Sequence, residues 1–198
     1  MTDLTVSGRN RQSVRKPTRR DRRSARTHDD LLAAFRDLIL SLGYDGVTVS
    51  NIVDRANVGR STFYEHSENK DDLFRQSAQR IVGILADTVC EEYERASLEA
   101  VVQHFREGRG VLATVNNGTA RTVLTRYLAA ELETRLALHR RRATRKPALP
   151  LSLVAAAIAE AQCGLIVAWL CRPDVTVQHA ADALAASSRA IASVNAGK

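Results

Sequence analysis

The segment TVSNIVDRANVGRSTFYEHSENK, from Thr48 to Lys70, predicts two short helices joined by a tight turn. Apolar residues recur at helical spacing in its first half, at Val49, Ile52, Val53 and Ala56. One face of this helix is therefore apolar. The hydroxyl of Thr48, just before the apolar run, can cap a backbone N–H group that has no partner within the helix.

The residues after this helix predict a sharp turn and then a second helix with a polar surface. Asn57 and Gly59 interrupt the pattern, and Asn and Gly are the residues that reach positive φ angles at little cost. The second helix begins near Arg60 and reaches His66, and Phe63 can point inward. Its other side chains are polar and would stay outside: Arg60, Ser61, Thr62 and Tyr64. Such a pair is typical of a helix-turn-helix, whose second helix enters the major groove of DNA.

The wider segment from Ala25 to Phe74 resembles the DNA-binding domain of the TetR (tetracycline-repressor-like) transcriptional regulators. The resemblance rests on four features: the Gly43-Tyr44 pair that ends a first helix, the helix from Thr48 to Ala56, the stretch STFYEH at residues 61–66 and the stretch NKDDLF at residues 69–74. As a set these motifs are specific, although no single one is.

Two positions depart from the family's pattern. Asn57 stands where the family usually has Gly, which is a mild change because Asn tolerates the left-handed conformation. Ser67 stands where the family usually has the Phe of a Tyr-x-His-Phe motif. If that position faces inward, losing the ring costs about 3 kcal/mol unless neighbouring side chains fill the space.

The resemblance implies an all-α protein with three parts. Residues 25–74 would be a three-helix, helix-turn-helix DNA-binding domain, and residues 75–198 a helical bundle that binds an effector and forms the dimer. Residues 1–24 are polar and rich in Arg and Ser, so we expect a basic arm that is disordered without DNA. The implied function is sequence-specific transcriptional regulation, as a repressor that a small-molecule effector releases from its operator.

The positive charge is concentrated at the N-terminus. The 198 residues carry a net charge of +7, and nine of the 29 basic residues but only two of the 22 acidic ones lie in residues 1–28. Directly before a helix-turn-helix, such a segment indicates a phosphate-binding extension, in which Arg15 to Arg23 release counterions from DNA. The alternative is a solvated tail without a partner.

Apolar periodicity predicts further helices along the chain. Their expected ranges are 25–42, 71–94, 97–106, 109–115, 119–139, 151–171 and 176–194. The core stripe of the first comprises Leu31, Phe35, Leu38 and Leu42, and leucines at spacing four mark the helix at 119–139. The basic run at 140–146 is either a solvated loop or a second nucleic-acid patch.

Several functional classes lack their signatures in this sequence. The five histidines are scattered, and none of the HExxH, GxSxG, Walker A or GxGxxG motifs occurs. We therefore expect no enzyme activity, no cofactor and no metal site. Three cysteines without a CxxC motif argue against a disulfide framework. No apolar run reaches the length of a membrane span and no signal peptide is recognisable, so we expect a cytoplasmic protein without a membrane partner.

The expected DNA contacts fall into two groups. Arg60, Ser61 and Thr62 are the candidates for base edges, and Arg60 would favour guanine. The resemblance implies that four residues hold the phosphate backbone: Thr48, Tyr64, His66 and Lys70. Thr27, near the expected start of the first helix, is a further candidate. Two such helices, one per subunit, would enter successive major grooves of a pseudo-palindromic operator on double-stranded DNA.

The second half carries no motif, so effector contacts rest on polar or aromatic residues within mainly apolar helices. The candidates are His104, Phe105, Tyr127, Gln162 and Cys163. Each could equally be ordinary packing, and Trp169 could belong to the core or to a dimer interface. Cys163 or Cys171 could instead be a redox sensor, although neither has an obvious activating base.

The sequence also leaves the mechanism and the class of protein open. The helix at 151–171 is apolar on nearly all sides, which predicts that it and the last helix pair with their copies in a homodimer. An effector would then shift the helix at 71–94 and thereby change the spacing between the two DNA-binding domains of the dimer. The alternatives are a scaffold that has lost its operator, an architectural DNA binder without an effector, and an enzyme with an unrecognised site.

Overall fold

The computed structural model describes residues 18–108, 118–140 and 149–194, and within these ranges the regular elements are all α-helices. The eight helices are α1 (Arg19–Gly46), α2 (Val49–Ala56), α3 (Arg60–His66), α4 (Lys70–Asp87), α5 (Arg95–Glu107), α6 (Thr119–Arg140), α7 (Leu151–Leu170) and α8 (Val177–Ser193). The predicted all-α fold is confirmed.

Helix α1 begins earlier than the sequence analysis expects. Thr18 caps it with a capping box, in which the Thr18 hydroxyl accepts from the backbone N–H of Asp21 and the Asp21 carboxylate accepts from the backbone N–H of Thr18. This reciprocal cap satisfies two backbone donors that the helix itself leaves unpaired. The expectation of disorder up to residue 24 is therefore wrong for residues 18–24. Residues 1–17 lie outside the described part of the chain.

The regular part of α1 ends at Gly43, as the sequence predicts. Gly43 has φ 68° and ψ 163°, a conformation available to Gly because it lacks a Cβ atom. The chain changes direction there, and the Tyr44 ring turns into the core while Leu42 is left exposed. The assignment of Leu42 to the core stripe is thus wrong, whereas Leu31 and Phe35 are fully buried.

Helices α2 and α3 form the predicted helix-turn-helix. Asn57 ends α2 in the left-handed conformation, with φ 53° and ψ 48°, so Asn takes the role of the usual Gly. Behind the motif, Ile52 and Phe63 are fully buried and belong to the same core cluster as Leu31 and Phe35 of α1. Burial of these side chains fixes the orientation of α3, whose exposed face is left for a partner.

The environment of Ser67 shows how the chain compensates for the missing ring. Ser67 is buried, and its hydroxyl accepts a hydrogen bond from Gln76 at 3.1 Å. The same Gln76 amide also lies within hydrogen-bond distance of the carbonyl oxygen of His66 and of Asp72. A polar cluster thus occupies a position where the family places an aromatic ring.

Helix α4 ends at Asp87, about two turns before the predicted end, so the longer helix is a wrong prediction. The carbonyl oxygen of Leu85 accepts from the Thr88 hydroxyl at 2.7 Å and from the side-chain amide of Gln162 at 3.1 Å. Arg135 on α6 forms an ion pair with Asp87 at 2.7 Å. The end of α4 is therefore held by residues of the C-terminal helices, which sequence periodicity does not report.

Helices α6, α7 and α8 pack together as a C-terminal bundle with α4 and α5 against them. The four leucines of α6 at spacing four are all buried, as predicted: Leu124, Leu128, Leu132 and Leu136. Trp169 is also buried, its Nε1 donates to the carbonyl oxygen of Val175 at 3.0 Å, and Arg106 lies 4.1 Å from its ring centroid. Trp169 therefore belongs to the core of the subunit.

Helix α7 is long and apolar enough to cross a membrane by length and composition alone, so the expectation that no run reaches that length is wrong. A core helix of a protein in water passes the same test, and one face of α7 is buried through Val154, Ile158 and Ile166. The opposite face is exposed and carries Leu153 and small residues. The predicted helix at 109–115 and most of the basic run at 140–146 lie outside the described residues.

Candidate nucleic-acid interface

The exposed face of α3 presents most of the residues predicted to contact bases. Arg60 and Ser61 are exposed in its first turn, Tyr64 is 57% exposed one turn later, and Thr62 is half-buried. Phe63 lies behind them with its ring perpendicular to that of Tyr64, at a centroid distance of 5.3 Å. Packing of Phe63 thus sets which side chains of α3 face outward.

Arg60 is oriented by a neighbour on the first helix of the motif. Its guanidinium Nη2 donates a hydrogen bond to the hydroxyl of Ser50. The backbone at Gly59 caps α3 without a side-chain hydrogen bond, and a Cβ atom built there would meet only ordinary van der Waals contacts. Among the residues that the structure describes, the Ser50 hydroxyl is the hydrogen-bond partner that positions the Arg60 side chain across the open turn.

Thr48 acts as the cap that the sequence predicts. Its hydroxyl accepts from the backbone N–H of Asn51 at 3.2 Å, and the Asn51 side chain accepts from the backbone N–H of Thr48 at 3.0 Å. The Thr48 side chain is exposed at the N-terminus of α2. The position combines an exposed hydroxyl with the positive end of a helix dipole, which suits a phosphate group.

Lys70 is held by the residue that follows the Gly43 turn. Its ammonium group donates to the carbonyl oxygen of Tyr44 at 3.0 Å, and the Tyr44 hydroxyl donates to the carboxylate of Asp71. Burial raises the pKa of Tyr44 well above its usual range, and the hydrogen bond to Asp71 adds to this. The phenol therefore stays protonated and remains a donor at neutral pH.

His66 and Thr27 lie where α1 passes the end of the recognition helix. The His66 ring is 5.8 Å from that of His28, and both residues are half-buried, as is Thr27. The eight predicted DNA contacts lie on the helix-turn-helix with its Thr48 cap, on the first residue of α4 and, for Thr27, within α1 more than two turns after its start: Thr27, Thr48, Arg60, Ser61, Thr62, Tyr64, His66 and Lys70.

The five effector candidates do not share one environment. His104 is exposed and Tyr127 is half-buried, whereas Phe105, Gln162 and Cys163 are buried. The Gln162 amide group donates toward Leu85, Thr88 and Ser188, and its Oε1 has no partner among the described residues. Gln162 thus connects α7 to the end of α4 and to α8.

The environment of Cys163 bears on the redox alternative. Its Sγ lies 3.6 Å from the hydroxyl of Thr125, and burial raises the pKa of the thiol. A buried thiol with a raised pKa is a poor nucleophile, because the thiolate is the reactive form. The geometry therefore favours a packing role for Cys163 over a redox role.

An open groove of about 610 Å³ lies between α5 and the start of α8. Its lining residues are Ala96, Glu99, Ala100, Gln103, Arg106, Pro173, Thr176, Val177 and Gln178. None of the five effector candidates is among them, so this groove is separate from the predicted effector site.

Residues 31–76 match the family model of the tetR family of bacterial regulatory proteins. Over this segment, 46 of the 198 residues, the chain is similar to that family. The match covers the end of α1, the helix-turn-helix and the start of α4, which are the elements that carry the site described above.

Curated relatives are also transcriptional regulators of the helix-turn-helix type. The chain is 38% identical over 68 residues to YxbF and 30% identical over 124 residues to YdeS, both uncharacterized regulators of Bacillus subtilis. It is 33% identical over 79 residues to the regulator AlkX of Mycobacterium tuberculosis. The alignment with YxbF covers 34% of this chain and 18% of the relative, that with YdeS 58% and 59%, and that with AlkX 40% and 35%. In each case the chain aligns with less than two thirds of the relative's length.

Solved structures of TetR-family regulators share the fold over most of the chain. A regulator from Streptococcus agalactiae superposes with a TM-score of 0.54 at 22% identity, covering 85% of this chain and 97% of that one. A regulator from Syntrophomonas wolfei gives a TM-score of 0.55 at 14% identity, covering 85% and 95%. At these identities the likeness establishes the fold, and the C-terminal bundle is part of it.

Sequence reasoning missed two residues that the geometry links to the site. Ser50 orients Arg60 from another helix, and nothing in the local pattern marks it. Tyr44 accepts a hydrogen bond from Lys70, and the Gly43-Tyr44 pair that ends the first helix is the sequence signal nearest to this contact. Both act through a neighbouring side chain that the sequence predicts to contact DNA.

Proposed function

We propose that this protein is a homodimeric, DNA-binding transcriptional regulator that acts as a repressor in the cytoplasm and leaves its operator when a small-molecule effector binds. TetR-family regulators are generally not enzymes, and we extend that expectation to this chain. The observation that carries the proposal is the exposed polar face of α3, held in place by the buried Phe63 and by the contact between Arg60 and Ser50.

The first part of the proposal is base readout by the start of α3. Arg60 presents a planar fork that can engage O6 and N7 of guanine together. Ser61 and Thr62 can reach neighbouring base edges, whereas Thr48 and Lys70 flank α3 and suit phosphates. This division matches the general pattern in which backbone contacts position the protein and base contacts supply specificity.

The dimer is supported by the outer faces of α7 and α8. Small and apolar residues line these exposed faces: Leu153, Ala157, Gly164 and Ala168 on α7, and Ala183, Ala186, Ala190 and Val194 along α8 and its end. A Cβ atom added to Gly164 would meet nothing within 4 Å in the subunit. These faces allow close approach of a second copy about a two-fold axis, which pairs the two helices with their copies.

The effector would act on α4, because that helix joins the helix-turn-helix to the C-terminal bundle. Gln162 and Arg135 hold the end of α4, and Tyr127 and Cys163 lie on the same helices as these two residues. A small molecule that contacts Phe105, Tyr127, Gln162 or Cys163 can move α4 only if it binds the two arrangements of the helix with different affinity. His104 is exposed and would contribute only at the edge of such a site.

The proposal is tested by selecting duplexes from a random pool with the wild-type protein. We expect enrichment of a pseudo-palindromic sequence and binding as a dimer. Arg60→Ala should lose the preference at one position in each half-site, while Arg126→Ala on the exposed face of α6 serves as the charge-matched control. A pool that stays random after selection would refute the proposed function.

A further inference from the structure

The first two turns of α1 form an exposed basic helix. Five arginines on it are exposed: Arg19, Arg20, Arg22, Arg23 and Arg26. Four of them follow the spacing i, i+3, i+4, i+7 and therefore share one face of the helix. No ion pair joins this face to a carboxylate within residues 18–108, 118–140 and 149–194. We refer to residues 19–26 as the basic extension.

The basic extension is electrostatically unfavourable as an isolated helix. Cations near a helix N-terminus oppose the helix dipole, and like charges at i and i+4 repel, as for Arg19 with Arg23 and Arg22 with Arg26. The hydrogen bonds from Thr18 lower the pKa of Asp21, so the carboxylate stays ionised, but its one negative charge offsets only part of the five positive ones. A row of bound anions would relieve both sources of repulsion, and functional sites are where such local conflicts are retained.

The basic extension belongs to the same helix as His28, which contacts His66 at the end of α3. The contact between His28 and His66 fixes α1 beside the end of α3, and the basic extension continues the same helix away from that contact. Eight residues separate Arg19 from Thr27, which corresponds to about 12 Å along the helix axis. This is about the rise of three to four base pairs of DNA. The extension lies before the residues matched by the family model, which begin at residue 31.

We propose that the basic extension is a second, rigid element that binds DNA phosphates beyond the bases contacted by α3. The inference rests on the proposed function, since it takes α3 to lie in the major groove. Each guanidinium can grip a phosphate with two parallel hydrogen bonds, and the helix holds four of them in a fixed row. The extension lengthens the DNA segment covered by each subunit by about three to four base pairs.

Three variants separate a rigid helix from a flexible charged tail. The variant R19Q/R22Q/R23Q/R26Q removes the charge of the face. Ser24→Pro keeps every charge but breaks the helix, because Pro lacks an N–H donor and clashes with the preceding turn. Ser24→Ala is the matched control, which keeps both charge and helix. All changes precede Leu31, the first fully buried residue of α1, and thermal unfolding checks that the core is intact.

Binding is measured on a selected duplex whose flanks are trimmed two base pairs at a time, across a salt series. For the wild type and Ser24→Ala, affinity should fall when the outer three to four base pairs of each flank are removed. The quadruple variant and Ser24→Pro should both be insensitive to trimming. In the quadruple variant, each lost phosphate contact should also lower the logarithmic salt slope by about 0.9.

Two results would overturn the inference while leaving the proposed function in place. In one, Ser24→Pro binds and responds to trimming as the wild type does, so that charge acts without a helix. In the other, the quadruple variant is unchanged on DNA but loses binding to vesicles of anionic lipid, which would assign the extension to a membrane surface. If the wild type selects no duplex, the proposed function fails. Equal salt slopes of all variants on a random duplex would then exclude the extension as a DNA-binding element.

Discussion

The ammonium group of Lys70 lies 4.4 Å from the centroid of the Tyr44 ring while it donates to the carbonyl oxygen of the same residue. This pairing connects the first residue of α4 to the turn that ends α1. It holds the Lys70 side chain against a buried aromatic residue, so that its rotamers are restricted before any partner binds. The geometry of a phosphate-binding candidate therefore depends on a residue that does not itself face DNA.

Replacing Tyr44 with Phe tests the hydroxyl separately from the ring. Tyr44→Phe removes the hydrogen bond to Asp71 and keeps the surface beneath Lys70. Because Asp71 is exposed and water can replace the phenol, we expect the free energy of unfolding to fall by about 1 kcal/mol. DNA affinity should change little, whereas Tyr44→Leu should weaken it further by freeing Lys70. Urea unfolding and binding titrations measure the two effects, and equal DNA affinities of both variants would contradict this role of the ring.

The raised pKa of Tyr44 predicts a specific dependence on alkaline pH. The folded state holds the phenol protonated, so its contribution to stability is complete below the ordinary tyrosine pKa of about 10 and is lost as the pH rises above it. The difference in unfolding free energy between the wild type and Tyr44→Phe should be constant from about pH 7 to 9 and should shrink above about pH 10. A difference that grows in that range would show the opposite sign of coupling.

Arg60→Ala and Ser50→Ala should weaken operator binding to different degrees. Loss of the guanidinium should cost about 1–3 kcal/mol and remove one base preference in each half-site. Ser50→Ala leaves the guanidinium present but unoriented, so its cost should be smaller and the base preference retained. Competition binding on the selected duplex and on single-base variants checks both. A larger effect of Ser50→Ala than of Arg60→Ala would assign the readout to α2.

Gly164→Leu should separate dimerisation from folding. Gly164 is exposed and a Cβ atom added there meets nothing within 4 Å, so we expect a larger side chain to leave the monomer intact and to favour the helix by up to about 1 kcal/mol. At the proposed interface the same side chain would block close approach. We expect sedimentation at micromolar concentration to show a monomer for this variant and a dimer for Gly83→Leu on α4, where an added Cβ atom also meets nothing within 4 Å although Gly83 is half-buried. A dimer for both would place the interface elsewhere.

Substitutions of Gln162 test whether this residue only packs in the core or also contacts an effector. Gln162→Ala leaves a cavity and should cost about 2–4 kcal/mol of unfolding free energy. Gln162→Met keeps the volume, and the hydroxyls of Thr88 and Ser188 retain their bonds to backbone carbonyl oxygens, so its cost should stay within about 1.5 kcal/mol. If an effector is found, Gln162→Met distinguishes the roles. An unchanged affinity for the effector would limit Gln162 to the core.

The sequence specifies the helix-turn-helix well because its determinants are local. The Thr48 cap, the turn at Asn57 and the buried Phe63 lie within 16 residues, and all three have the predicted conformation or burial. The start of α1 was missed for a different reason. The polar, charged composition before Ala25 indicates disorder, whereas the reciprocal cap between Thr18 and Asp21, which is also local, is a signal that the sequence analysis does not use.

Other features depend on contacts between residues far apart in the chain. The end of α4 is fixed by Gln162, which lies 77 residues beyond its acceptor Leu85, and by Arg135 on another helix. The contact of Arg60 with Ser50 requires the turn between them to be built first. Hydrophobic periodicity indicates which face of a helix is apolar. It does not indicate which distant side chain contacts the end of that helix. The effector residues remain a prediction for the same reason.

Contacts hold helix α4 at both ends. At its start Lys70 donates a hydrogen bond to Tyr44, and at its end Asp87 forms an ion pair with Arg135. Its 18 residues make a rod about 27 Å long. A rod of that length magnifies small rotations, since tilting it by about 5° about one end displaces the other by about 2 Å. In the proposed effector mechanism, such a tilt of α4 about its Asp87 end would move the helix-turn-helix by a distance comparable to the length of a hydrogen bond. Under the proposed base readout, a displacement of that size is enough to take the Arg60 guanidinium out of hydrogen-bond distance of a guanine.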